Sequence, residues 1–206
     1  RNMGFAVVDV ETTGLNPRTD RILEIGIVTA DGSGRPTGEW SSLVNPGRPV
    51  AATVVHGLTD ADVADAPPIA EVLPRVTALL AWKVVVAHNA AFDVGFLNAA
   101  YRHAGVDFAI PREATACTME LSKIYLPPGR HSLAASARRA GVPVPARHRA
   151  LADARVAALL LRRYIAEEAA GTRFARRAVS RNGTVTLPAS WVDAVRASAD
   201  LAWPAV

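Results

Sequence analysis

The chain has 206 residues, half of them apolar, which is enough to bury one good core. Its one cysteine, Cys117, excludes an internal disulfide framework and reads as a small packed hydrophobe in a reducing, cytoplasmic setting. No stretch reaches the apolar length of a membrane span and no apolar leader follows a charged start, so no membrane role is expected, while a net charge of +4 suits a polyanionic partner.

Phe5-Ala6-Val7-Val8 is apolar and β-branched at its end, which predicts a buried strand over residues 5–10. Asp9 and Glu11 close it. Residues i and i+2 of a strand share a face, so the two carboxylates stand side by side before the turn Thr12-Thr13-Gly14-Leu15. Like charges that close repel unless something neutralises them, and a divalent cation does so. Taken alone, an Asp-x-Glu at a strand end is most often solvated surface. Residues 22–30 and 38–44 follow as strands on short turns such as Asp31-Gly32-Ser33-Gly34, which favours antiparallel neighbours. Glu24, inside the second strand, is expected to be structural. Ile69, Val72, Leu73, Val76, Leu79 and Leu80 recur at helical spacing over 69–81, and 83–87 returns as a strand. Strand, crossover helix and strand imply a parallel pair, hence a mixed sheet with helices on its faces.

The segment His88-Asn89-Ala90-Ala91-Phe92-Asp93 opens a helix over 90–104, with Asn89 suited to cap it. Helices are expected over 118–125, 131–140 and 150–169. The last begins within His148-Arg149-Ala150-Leu151-Ala152-Asp153 and places Asp153 one turn in, on the face of Val156 and Leu160. An unperturbed histidine titrates near pH 6.5, so His148 is able to take a proton near neutrality. Arg147 and Arg149 flank it and are candidates for phosphate contact, whereas Arg162 and Arg163 read as a solvated helix face. Phe174 to Ser180, Asn182-Gly183 and Thr184 to Leu187 carry a hairpin signature. Ser190-Trp191-Val192-Asp193 fits a capping box opening a final helix. The organisation is a main domain over 4–170 and an appendage over 171–206 to which no role is assigned.

Three of these segments, around Asp9 to Leu15, His88 to Leu97 and His148 to Asp153, resemble the three motifs of the DnaQ-like 3′–5′ exonucleases, in the subgroup whose third motif is His-x4-Asp. The resemblance spans about residues 4 to 165. Arg21 to Gly26, Val55 to Thr59 and Cys117 to Leu121 are lesser marks of it. It implies a ribonuclease H-like mixed five-stranded sheet flanked by helices, and hydrolysis of the 3′ end of DNA to nucleoside 5′-monophosphates. It also implies two divalent ions, Mg²⁺ or Mn²⁺, about 3.5–4 Å apart. Asp9 would bridge them, Glu11 and Asp153 would complete the first, Asp93 would hold the second mainly through water, and His148 would be the general base. Thr12, Thr13 and Leu15 would line the pocket for the 3′ end, with Leu15 wedged against a base. His56, Asn89 and Phe92 would approach the terminal nucleotide, and for His88 packing or orienting and contact with substrate stand equally open.

Two alternatives stand beside this reading: the same chemistry on RNA ends, and a catalytically silent module that binds nucleic acid or a partner. The complete set of four acids and one histidine argues against silence. The Thr12-Thr13 pair is more similar to proofreading exonucleases of bacterial replicative polymerases than to oligoribonucleases, which favours DNA; whether a polymerase is a partner is a separate question. Yet the chain has no glutamine, so a glutamine-based sliding-clamp peptide is lacking, which points to a free-standing enzyme or a piece of something longer.

Overall fold

A computed structural model describes residues 4–50 and 56–205. Val55, the first residue of one family mark, lies outside them. Three strands come first, Phe5–Thr12 (β1), Ile22–Ala30 (β2) and Pro36–Leu43 (β3), followed by a short helix Asp60–Val63 (α1) that Thr59 and Asp62 close with a reciprocal capping box. Then follow Ile69–Leu80 (α2), Val84–Ala87 (β4), Ala90–His103 (α3), Thr115–Cys117 (β5), Thr118–Tyr125 (α4), Leu133–Ala140 (α5) and Ala150–Ala170 (α6). The tail adds Ala178–Val179 (β6), Val185–Thr186 (β7) and Ser190–Ala199 (α7).

The main sheet runs β3-β2-β1-β4-β5, antiparallel from β3 to β1 and parallel from β1 to β5. β1 is apolar on both sides because both its faces are covered. Phe5 and Val7 pack with Leu121, Ile124 and Leu160 on one face, and Ala6, Val8 and Val10 with Val76, Leu80 and Leu97 on the other. β4 is short, and its pairing with β1 covers Phe5 to Val7 only, so β1 runs on past its parallel neighbour. That overhang lies at the carboxyl ends of the strands, beside the point where strand order reverses, the place where open α/β sheets bind ligands. The fifth strand has three residues, Thr115-Ala116-Cys117, too few to leave a readable period in the sequence.

The tail is tied to both cores. Trp191 packs in the first and Trp203 in the second, and the Ser198 hydroxyl donates to the Lys83 carbonyl. Its hairpin is shorter than expected. Ser180 N–H donates to Thr184 O at 2.9 Å, leaving a three-residue loop that ends on Gly183 at φ +85°. The expected Ser190 capping box does not form. Ala189 is the N-cap, in the left-handed region and with no side chain able to cap, and its N–H donates to the Tyr125 hydroxyl at 2.9 Å. Docking on Tyr125, rather than a local cap, sets how the chain enters α7.

Candidate active site

β1 delivers two carboxylates to one face, and α6 brings the third. Asp9 and Glu11 lie opposite Gly26 and Glu24 of β2, so all four positions share the sheet face on which α6 packs. Carboxylate oxygens of Asp9, Glu11 and Asp153 all lie within 4.8 Å of one another. One Asp9 oxygen, Oδ2, is buried with no hydrogen-bond partner. A buried, unpartnered carboxylate oxygen is costly unless something else meets it. Hard oxygen donors crowded in this way fit a hard divalent cation such as Mg²⁺.

Asp93 reaches the site from the other face of the sheet. It sits in the first turn of α3, and its Oδ1 accepts the Val10 N–H at 3.0 Å, a donor on the stretch of β1 beyond its pairing with β4. One oxygen is thereby spent on the backbone, and Asp93 stands beside the three-carboxylate group rather than within it.

The charge balance is strained throughout. Burial pushes the Asp9 carboxyl well above the usual range, and repulsion from Asp93, Asp153 and Glu11 adds to it. Burial, then Asp153, Glu24 and Asp93, push Glu11 up to about 8, with Arg149 pulling the other way. Asp93 is raised by burial against the lowering effect of its backbone hydrogen bonds, and Asp153 by burial against the lowering effect of His148. Without a cation, such a cluster keeps protons that exposed carboxyls would lose.

His148 stands at the mouth. Its Nδ1 is 3.6 Å from Asp153 Oδ2 and its side chain is 71% exposed. Next to it opens a cavity of about 630 Å³ between His56-Gly57-Leu58 on one wall and Ala146 to Arg149 on the other. His56 is buried in that wall and its Nδ1 accepts the Leu58 N–H at 3.0 Å. Leu15 projects from the loop after β1 at 84% exposure. The Thr12 hydroxyl donates to Gly14 O at 2.6 Å. That of Thr13 donates to Asp20 at 3.2 Å and accepts from Arg21 N–H. Both hydroxyls therefore hold the loop that presents Leu15. Phe92 is half-buried and packs on Phe96, with ring centroids 5.0 Å apart.

Two expectations are corrected. Asn89 is the N-cap of α3 but lies in the left-handed region at φ 73°, and its side chain makes no cap bond. Cys117 Sγ instead accepts the Ala90 N–H at 3.4 Å. Arg149, expected at a phosphate, directs its guanidinium to Glu24. Arg147 stays exposed on the cavity wall. His88 bridges the Thr118 hydroxyl at 2.8 Å and the His131 carbonyl at 2.7 Å, an arrangement that orients its ring. The sequence reading left Glu24 without a partner. Its signal was there, an acid inside an apolar strand buried on both faces.

Solved structures of similar shape include nucleases. An Escherichia coli exonuclease I bound to a dT13 oligonucleotide superposes with a TM-score of 0.68 at 15% identity, over 78% of this chain and 40% of that one. A zinc-bound form of the E. coli exonuclease I–single-stranded DNA complex gives 0.72 at 16% identity, over 82% and 42%. Sequence relatives are nearer. A Rhodobacter capsulatus DNA polymerase III subunit epsilon-like protein is 44% identical over 156 residues, covering 72% of this chain and 22% of its own. A Mycobacterium tuberculosis protein named as a bifunctional exonuclease/endonuclease is 43% identical over 168 residues, covering 75% and 25%. The PolC-type DNA polymerase III of Bacillus subtilis is 32% identical over 168 residues, covering 80% and 12%. The chain thus spans a quarter or less of the length of these relatives. A family model described as Exonuclease (RNase_T) matches residues 6–161, from β1 through most of α6, and the chain belongs to that exonuclease family.

Proposed function

We propose that this chain is a metal-dependent 3′–5′ exonuclease that removes nucleoside 5′-monophosphates from the 3′ end of DNA. The observation that carries the reading is the meeting of Asp9, Glu11 and Asp153 within 4.8 Å around a buried, unpartnered Asp9 oxygen. Asp9, Glu11 and Asp153 would hold one divalent ion, and Asp93 would support another. When bound, a pair of such ions supplies charge neutralisation at the transferring phosphate and a more acidic attacking water.

The chain's own residues would do the rest. His148, with Nδ1 turned toward Asp153, would accept the attacking water's proton at Nε2. Its exposure supports this role, since the ring would be open to an incoming substrate. The cavity beside it has room for a nucleotide, and the exposed Leu15 would press on the terminal base. DNA is favoured over RNA by relatives named as DNA polymerase III proteins.

The test is a degradation assay on matched single-stranded DNA and RNA labelled at either end, with Mg²⁺, Mn²⁺ or EDTA, beside Asp9→Ala. Metal-dependent shortening from the 3′ end of DNA, abolished in the variant, is the expected result. Faster RNA degradation would move the substrate to RNA. Intact substrate under every metal, with oligonucleotide binding retained, would replace the enzyme with a binding module.

A further inference from the structure

Glu24 poses a physical problem. It is 3% exposed and lies across from Glu11, and its charge raises the pKa of Asp9, Glu11 and Asp153. A further carboxylate beside a cluster that already repels itself worsens every interaction there. An apolar residue, like its neighbours Leu23 and Ile25, would relieve it. Something must require the charge.

What Glu24 touches answers this. Its Oε1 accepts the N–H of Ala150, the first residue of α6, at 2.9 Å. Arg149 Nε lies 3.0 Å from each of its oxygens, and Arg149 Nη2 reaches Oε2 as well. α6 has no side-chain cap of its own: Arg149 is its N-cap and makes no cap bond. Glu24 is therefore the cap of α6, supplied by a strand 125 residues away in sequence, and it meets the helix's free N–H and positive end together.

Two residues on, and on the same face, Gly26 lets the helix come flush. A Cβ there would lie 2.4 Å from Leu151 N and 2.5 Å from the Ala150 carbonyl carbon, both backbone atoms. The clamped residues, Arg149 and Ala150, follow His148 directly, and Asp153 lies one turn further. Arg149 also brings a positive charge that lowers the pKa of Glu11, so the pair gives back part of the field that Glu24 adds.

We infer that Glu24 is a positioning residue of the reaction: with Arg149 and Gly26 it fixes the start of α6 against β2, and so sets where Asp153 and His148 stand relative to Asp9 and Glu11. The activity part of this inference rests on the exonuclease reading above; the clamp itself does not. Glu24→Gln retains the shape and an acceptor for Ala150 N–H but loses the charge-assisted fork. Arg149→Lys retains the charge and loses the fork geometry.

Both variants would be compared with wild type in two ways: kcat and KM on a 3′-labelled oligonucleotide, and residue-resolved amide hydrogen exchange on the metal-free protein. Exchange at residues 149–153 is expected to rise about tenfold or more in each, confined to the start of α6. A displacement near 1 Å costs about a hundredfold in rate, so kcat should fall between tenfold and a hundredfold while KM stays within about twofold. The double variant should be no worse than the more damaging single one, since both break one unit. Unchanged exchange, or wild-type kcat in soundly folded variants, overturns the proposal. Should Glu24→Gln not fold, Arg149→Lys decides by the same criteria. A wild-type protein without nuclease activity would sink the exonuclease reading instead, and the clamp would then stand or fall on exchange alone.

Discussion

Glu11→Gln isolates the cost of keeping the site without its cation. In the folded chain Glu11 titrates at about 8, against an ordinary value of 4.5, with burial the largest cause and Asp153 the next. A raised folded pKa means that, between these values, the native state holds a proton that the unfolded chain has released. Stability therefore falls as pH rises through 4.5 to 8, and the whole penalty is present above that window. The shift corresponds to about 5 kcal/mol at full weight. Glu11 is half-buried, and solvent screening reduces this to about 2 kcal/mol. In EDTA at pH 8.5 the glutamine variant should then melt about 4–8 °C above wild type. Near pH 4.5 the two should converge, because both side chains are neutral there. Saturating Mg²⁺ should raise the wild-type Tm, by mass action on the folded state, and the variant's by much less. Calorimetry of both proteins from pH 4.5 to 9, with EDTA or Mg²⁺, reads all of this. Parallel melting curves across the range, or a variant less stable than wild type at pH 8.5 in EDTA, would refute the argument that Glu11 is held against its charge.

His148→Ala should retain the Mg²⁺-dependent rise in Tm and oligonucleotide binding while losing about 10²–10⁴-fold in kcat; a wild-type rate would remove His148 as general base. Trp191→Ala tests whether the tail belongs to the fold. Trp191 is buried against Tyr125, ring centroids 5.7 Å apart, so its truncation should cost about 3 kcal/mol or more and lower the single melting transition by about 10 °C. A melting curve unchanged in midpoint, with only a small early transition added, would mean that residues 171–206 come off independently.

Much of this architecture follows from periodicity. The doubly buried β1 reads as an unbroken apolar run, and α4 begins and ends where its pattern does, at Thr118 and Tyr125. The pairing of Asp9 with Glu11 follows from strand parity, since i and i+2 of a regular strand share a face and the register of β1 shifts only after Glu11. What periodicity missed lies where tertiary contacts override local preference. Ala189 enters α7 in a left-handed conformation held by Tyr125, although Ser190 and Asp193 offered a local cap. Asn89 is an asparagine at a helix start, but the left-handed turn out of β4 uses its tolerance of positive φ rather than its side-chain oxygen. The sequence identifies the residue type suited to the place and cannot say which of its two properties is used.

The same limit explains Arg149. Its neighbour His148 made phosphate the natural partner on local grounds, in a chain with 23 lysines and arginines and many ways to spend each. Glu24 carried the opposite signal, since an acid buried in an apolar strand demands a cation, but nothing local says which. The choice is made by geometry: Asp9, Glu11, Glu24 and Gly26 share one face of β1 and β2, and the helix that must bring Asp153 to the first two cannot avoid laying its N-terminus on the second two. Once Gly26 admits the backbone of Leu151, the residue preceding Ala150 lands beside Glu24 whatever its side chain. An arginine there both satisfies Glu24 and moderates the field on Glu11, which a phosphate-seeking arginine would not do. The placement of the third carboxylate and the burial of a supernumerary one are thus a single structural requirement.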